Sequence, residues 1–183
     1  MEKKAIGMVE TSSVAKGLEV ADFMSKEAEV DVLLCNSTCP GKFIVLVSGE
    51  VASVRSSVDK GCAMAGSSLV DHVVIPDPHP QIFSAIAETT GVERIEALGI
   101  IETFSSASGL VAADAAGKAA NVDLVAVRLA MAIGGKAYVY VNGDVASVRS
   151  AVDAGAQEVE KIGLLVAKVV IPDPDDCLDK FIL

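Results

Sequence analysis

The sequence predicts an α/β protein, α+β in arrangement, built from two tandem units that are each an antiparallel sheet with helices on one face. Three observations lead there: the chain repeats itself, each copy alternates strand-like with helix-like hydrophobic spacing, and the elements run βαββαβ. Ala5-Ile6-Gly7-Met8-Val9-Glu10-Thr11 returns as Ala97-Leu98-Gly99-Ile100-Ile101-Glu102-Thr103. Residues 5–35 share 14 identities in 31 positions with 97–127, and residues 42–61 share 13 in 20 with 136–155. Val51 to Ser56 recurs unchanged at 145–150, and Val73 to Pro78 at 169–174. The offset changes from 92 to 94 between residues 35 and 42, so the second copy has the longer connection there. The division predicted is 1–91 and 92–183, with a polar linker over 88–96.

Within the first copy, Ala5 to Thr11 reads as a strand rich in Ile, Met and Val. Thr11, Ser12 and Ser13 offer N-cap hydroxyls to a helix over 14–28, where Val14, Leu18, Ala21 and Met24 recur at helical spacing. Val30 to Asn36 and Phe43 to Val47 read as strands joined by Ser37-Thr38-Cys39-Pro40-Gly41-Lys42, whose Pro-Gly marks a turn. Val51 to Met64 carries Val51, Val54, Val58 and Cys62 on one helical stripe. A strand from Leu69 to Ile75 stops at Pro76 and Pro78, and Gln81 to Ala87 suits a short third helix. This order is the ferredoxin-like split βαβ unit, written twice.

Composition excludes several functions. Of 183 residues 51% are apolar and 22% charged, which is incompatible with a wholly disordered chain. The 25 acidic and 15 basic residues give a net charge of −10. Without a basic block, and with 4% aromatics, neither nucleic acid nor an anionic membrane surface is an expected partner. Met1-Glu2-Lys3-Lys4-Ala5 opens no apolar signal core, and no run reaches membrane-spanning length, so a cytoplasmic location is expected. A mean hydropathy of +0.49 points to buried subunit contacts.

The four cysteines are not expected to form disulfides in a reducing compartment. Cys35 and Cys62 read as buried small hydrophobes and Cys177 as a tail thiol. Cys35 and Cys39 are discounted as a metal pair, because Cys35 continues an apolar strand and no second pair follows. His72 and His79 are too isolated for a catalytic dyad. Lys42 and Lys136 follow glycines but do not complete a phosphate loop, and Gly134-Gly135 reads as a place of close backbone approach. The chain is therefore read as a non-enzyme.

The repeat contents resemble bacterial microcompartment shell domains. The residues that carry the resemblance are the opening Ala5 to Thr11, the helix Gly17-Leu18-Glu19-Val20-Ala21-Asp22, Lys26, Gly49 to Val54 and Val74-Ile75-Pro76, with their second-copy counterparts. Thr38-Cys39-Pro40-Gly41-Lys42-Phe43 and Ala132-Ile133-Gly134-Gly135-Lys136 further resemble the tandem shell proteins of propanediol-utilisation compartments. The resemblance implies a homotrimer whose six domains form a pseudo-hexagonal tile in a microcompartment shell, meeting other shell proteins. Lys26 and Lys118 are then tile-edge residues, although both copies read Pro-Asp-Pro (Asp77, Asp173) where an edge arginine is usual. Thr38, Pro40, Gly41, Ala132, Ile133, Gly134 and Gly135 would line the central pore.

On a three-fold axis, three copies of Cys39 would ligate one [4Fe–4S] cluster per trimer. Its expected role is to carry electrons through the shell, or to be delivered to an encapsulated redox enzyme. The alternatives are an open metabolite pore without a cluster and, in another class, a ferredoxin-like ligand-sensing domain.

Overall fold

The computed structural model describes residues 5–130 and 133–183. Strand β1 (Ala5–Thr11) leads to helix α1 (Val14–Glu27), then β2 (Asp31–Thr38), β3 (Lys42–Gly49), α2 (Val51–Ala65) and β4 (Leu69–Pro76). After the short α3 (Gln81–Ile86) the pattern repeats as β5 (Ala97–Thr103), α4 (Ser106–Ala119), β6 (Asp123–Leu129), β7 (Ala137–Gly143), α5 (Val145–Glu160) and β8 (Leu165–Ile171). The chain ends in a 3-10 turn and α6 (Asp179–Ile182), a segment read from sequence only as an acidic tail. The sheets have the orders β2-β3-β1-β4 and β6-β7-β5-β8, with every pair antiparallel. This is the predicted split βαβ topology in both copies.

Serine side chains cap the first helix of each copy, the one at Ser13 as its sequence predicts. The Ser13 side chain accepts from the Lys16 amide, and Ser105 with Ser108 forms a reciprocal capping box. Alternation along β1 sends Gly7 and Val9 to the helix side, where Val9, Val20, Met24, Val45, Val47, Val54 and Val58 form the first core. Gly7 is central to that packing. A Cβ there would stand 2.6 Å from methyl carbons of both Val54 and Val58, closer than atoms can approach. Gly99 repeats the relation, at 2.6 Å from Val152 and 2.8 Å from Val148. On the opposite face of the second sheet, Ile182 of α6 and Leu178 pack with Ile95, Leu98 and Val125.

By its contacts the chain falls into two compact units, Met1–Pro78 with Ala130–Gly135, and His79–Leu129 with Lys136–Leu183. Packing crosses the sequence boundary between the two copies at two places. Residues 79–91, assigned to the first domain, pack in the second unit, because α3 and the linker lie along β6. Gln81 accepts from the Leu124 amide (3.0 Å) and donates to Asp123 (3.0 Å), Thr90 donates to the Val125 carbonyl (3.1 Å), and Glu88 pairs with Arg128 (2.9 Å). The second exception is the β6–β7 loop, Ala130–Gly135, which belongs to the first unit.

Replacing Gly99 with Val forces α5 off β5 and should cost about 1–3 kcal/mol, the usual penalty of overpacking a close-packed core. The urea unfolding midpoint, measured at fixed protein concentration, should fall accordingly. An unchanged midpoint would mean that the helix–strand contact is not close-packed.

Candidate functional site: the cysteine turn of the first unit

The β2–β3 connection is a tight turn. Thr38 pairs with Lys42 across it, the Gly41 amide donates to the Thr38 carbonyl (3.0 Å), and Gly41 takes a φ of +82° that a side chain would strain. Cys39 and Pro40 are exposed at its tip, while Thr38 is buried. The turn is held from outside by the 130–135 loop: the Cys39 amide donates to the Ala130 carbonyl (3.2 Å). Gly135, at φ +81°, lies against it so closely that a Cβ would stand 3.0 Å from both the Cys39 carbonyl oxygen and the Lys42 ammonium.

Lys42 completes the site from beneath. Its ammonium donates to Glu10 Oε1 at 2.8 Å; the Glu10 side chain is 0% exposed and that of Lys42 20%. Carboxylates with so little solvent are kept only when paired. The second copy repeats the pair as Lys136 with Glu102, but in a wetter place, at 38% and 30% exposure. Sequence reading treated Lys42 only as a failed phosphate loop. The missed signal was the recurrence of a Glu near the end of β1 and β5 together with a Lys at or just before the start of the third strand of each copy (Glu10 and Lys42, Glu102 and Lys136).

The residues expected around the pore separate as follows. Thr38, Cys39, Pro40, Gly41 and Gly135 come together in the turn and its support, and Ile133 and Gly134 continue the supporting loop. Ala132 lies outside the described residues. Lys26 and Lys118 sit in the last turns of α1 and α4, each donating to the Asp one turn earlier, Asp22 at 2.7 Å and Asp114 at 2.8 Å. Asp77 and Asp173 are exposed beyond β4 and β8, and Asp77 has a positive φ of 51°.

Cysteine environment distinguishes the thiols. Burial raises the Cys35 thiol above its ordinary range. Cys62 is pushed up to about 11, first by burial and then by Asp59 and Asp71. Both are protonated at neutral pH and poor ligands, since the thiolate is the form that binds metal. Cys177 is raised as well, mainly by its hydrogen bond to Asp175. Among the described residues no three or more His, Cys, Asp or Glu side chains gather to hold a metal ion. Of the two exposed thiols, Cys39 and Cys177, Cys39 is the one on a turn held by backbone contacts to Ala130 and Gly135. Among the described residues, too, no helix is long and apolar enough to cross a membrane.

Two repeated βαββαβ sheets, with a specialised turn in the first, define a tandem-domain α+β protein. The BMC domain family matches residues 5–78 and 97–174, and the chain belongs to it as a tandem-domain component of bacterial microcompartment shells. It is 42% identical to the bacterial microcompartment shell protein PduT of Citrobacter freundii over 96% of this chain and 95% of that one. It is also 44% identical to the shell protein EutM of Salmonella typhimurium over 47% of this chain and 88% of that one. A crystal structure of a microcompartment protein from Desulfitobacterium hafniense superposes with a TM-score of 0.90 at 52% identity, covering 96% of this chain and 98% of that one.

Alkylation of the iron-free protein at pH 7 should label exposed Cys39 and leave Cys62 unmodified until the pH approaches 11. Peptide mass spectrometry reads the result, and fast labelling of Cys62 at neutral pH would contradict its half-buried, protonated state.

Proposed function

We propose that this chain is a structural, non-enzymatic shell tile: a homotrimer with six domains in a pseudo-hexagonal ring, three Cys39 thiolates meeting at its axis. The ring is supported by a difference between the copies. Leu18 and Val32 are 55% and 43% exposed, while their counterparts Leu110 and Leu124 are 0% exposed. Edge strand β6 is lined by residues 79–90, whereas Val32 and its neighbours at the start of β2 stand bare. Apolar surface left open on one copy suits a further chain packed head to tail, and such heterologous contacts close into rings. Three chains supply six shell domains.

The cluster reading is carried by one observation: Cys39 is an exposed, unpaired thiol at the tip of a turn whose backbone is held by Ala130 and Gly135. That donor fits an iron–sulfur cluster in hardness and access, and three copies meet the thiolate count of a cubane with one corner left to another ligand. A [4Fe–4S] group so held supplies one-electron chemistry at the pore, either conducting through the shell or donated to an encapsulated redox enzyme. The chain's own part is to fix the sulfur, with Gly41 and Gly135 leaving the approach open and backbone amides close by to tune it. The comparisons support the tile; the cluster rests on the turn and on the resemblance of Thr38 to Phe43.

Anaerobically purified protein should run at about three times 18.8 kDa, carry about four irons per three chains and absorb broadly near ~400 nm, as cubane clusters do. Cys39→Ser should lose iron and colour and keep the trimer. Colourless wild-type protein after reconstitution would replace this reading with an open metabolite pore, and a monomer at all concentrations would favour a ligand-sensing domain.

Lys26 and Lys118 are proposed to meet neighbouring tiles, with Asp77 and Asp173 changing which shell proteins are accepted. The Lys26→Ala/Lys118→Ala protein should remain trimeric and lose extended sheets under the electron microscope. Sheets formed as readily as by wild type would end the edge assignment.

A further inference from the structure

We propose that Lys42 is the positioning residue of the cysteine turn and that its charge sets how readily a cluster held by Cys39 accepts an electron; this rests on the cluster reading above. Lys42 opens β3 directly opposite Thr38, so its backbone closes the turn that carries the sulfur. Its ammonium is fixed by buried Glu10 on β1, one strand further from β2, which makes the pair a dipole with its positive end toward the turn. The ammonium and the Cys39 carbonyl oxygen lie equally close, 3.0 Å, to the point where a Gly135 side chain would begin. The missing side chain therefore leaves the cation beside the ligand residue's own peptide. Lys42 is also drier than Lys136, 20% exposed against 38%, so water screens its field less. Of the two repeated ion pairs, the better buried one belongs to the copy that carries the cysteine turn.

Reduction of a thiolate-bound cluster adds one electron and breaks no bond, so the site becomes more negative by one charge. A weakly screened cation nearby stabilises that product, and cluster potentials respond to local charge in this way. The protein supplies the charge; a low-potential one-electron reductant supplies the electron.

The test is an anaerobic titration with dithionite, followed by electron paramagnetic resonance, on wild type, Lys42→Met, Lys42→Arg and the double variant Glu10→Gln/Lys42→Met. Lys42→Met should shift the midpoint to a more negative potential, and Lys42→Arg should restore it. The double variant should lie between, because the negative carboxylate is removed together with the cation it pairs with. A brown Lys42→Met trimer with the wild-type midpoint would overturn this inference and leave the cluster reading standing. Colourless wild-type protein would overturn both. Should Lys42→Met fail to assemble, the double variant decides: a wild-type midpoint there overturns the proposal.

Discussion

Each half of this molecule is layered around a strand position that has no side chain. At Gly7 and Gly99 the long helices α2 and α5 lie on the sheet so closely that valine methyl groups occupy the space a Cβ would need. Interiors packed to crystal density tolerate no intermediate arrangement. The alternation that turns Gly7 and Val9 toward the helices turns Glu10 to the other face, where it meets Lys42. The contact that builds the core thus also decides which face receives the buried carboxylate, and through it the seat of the cysteine turn.

Strand and helix spans were legible because the repeat states each of them twice. Ala5–Thr11 and the helices from Val14 and Val51 could be read from period-2 and period-3.6 spacing, and the Pro-Gly turn from composition. The position of Cys39 at an exposed tip was likewise legible, as the residue before Pro40 between two apolar runs. What sequence spacing could not reveal was partnership across distance. Nothing local in Gln81 or Thr90 says that they bind the edge of β6, and nothing in Gly135 says which backbone it approaches. Those facts come from packing of elements far apart in the chain, where each residue's own pattern is silent.

The two copies also show what repetition conceals. Their identical Val-Ala-Ser-Val-Arg-Ser helices occupy equivalent places, yet the strands that precede them differ sharply in exposure: β2 stands largely open, β6 largely closed. Equal sequence patterns therefore acquire unequal surroundings once the chain between the copies has chosen a side. Its choice of β6 is built from hydrogen bonds to edge amides and carbonyls, which satisfy groups that an edge strand otherwise leaves to water or to a stray partner.

The difference between the β2–β3 and β6–β7 connections has an evolutionary reading. In a ring of six identical domains, any substitution is made six times, and a lone thiol on the axis becomes six crowded sulfurs. Fusing two copies halves the multiplicity of every later mutation. Cys39 could then arise, or be kept, opposite an Ile133-Gly134-Gly135 loop that carries no sulfur in those three positions. In the trimer proposed above, gene duplication gives selection access to the number three.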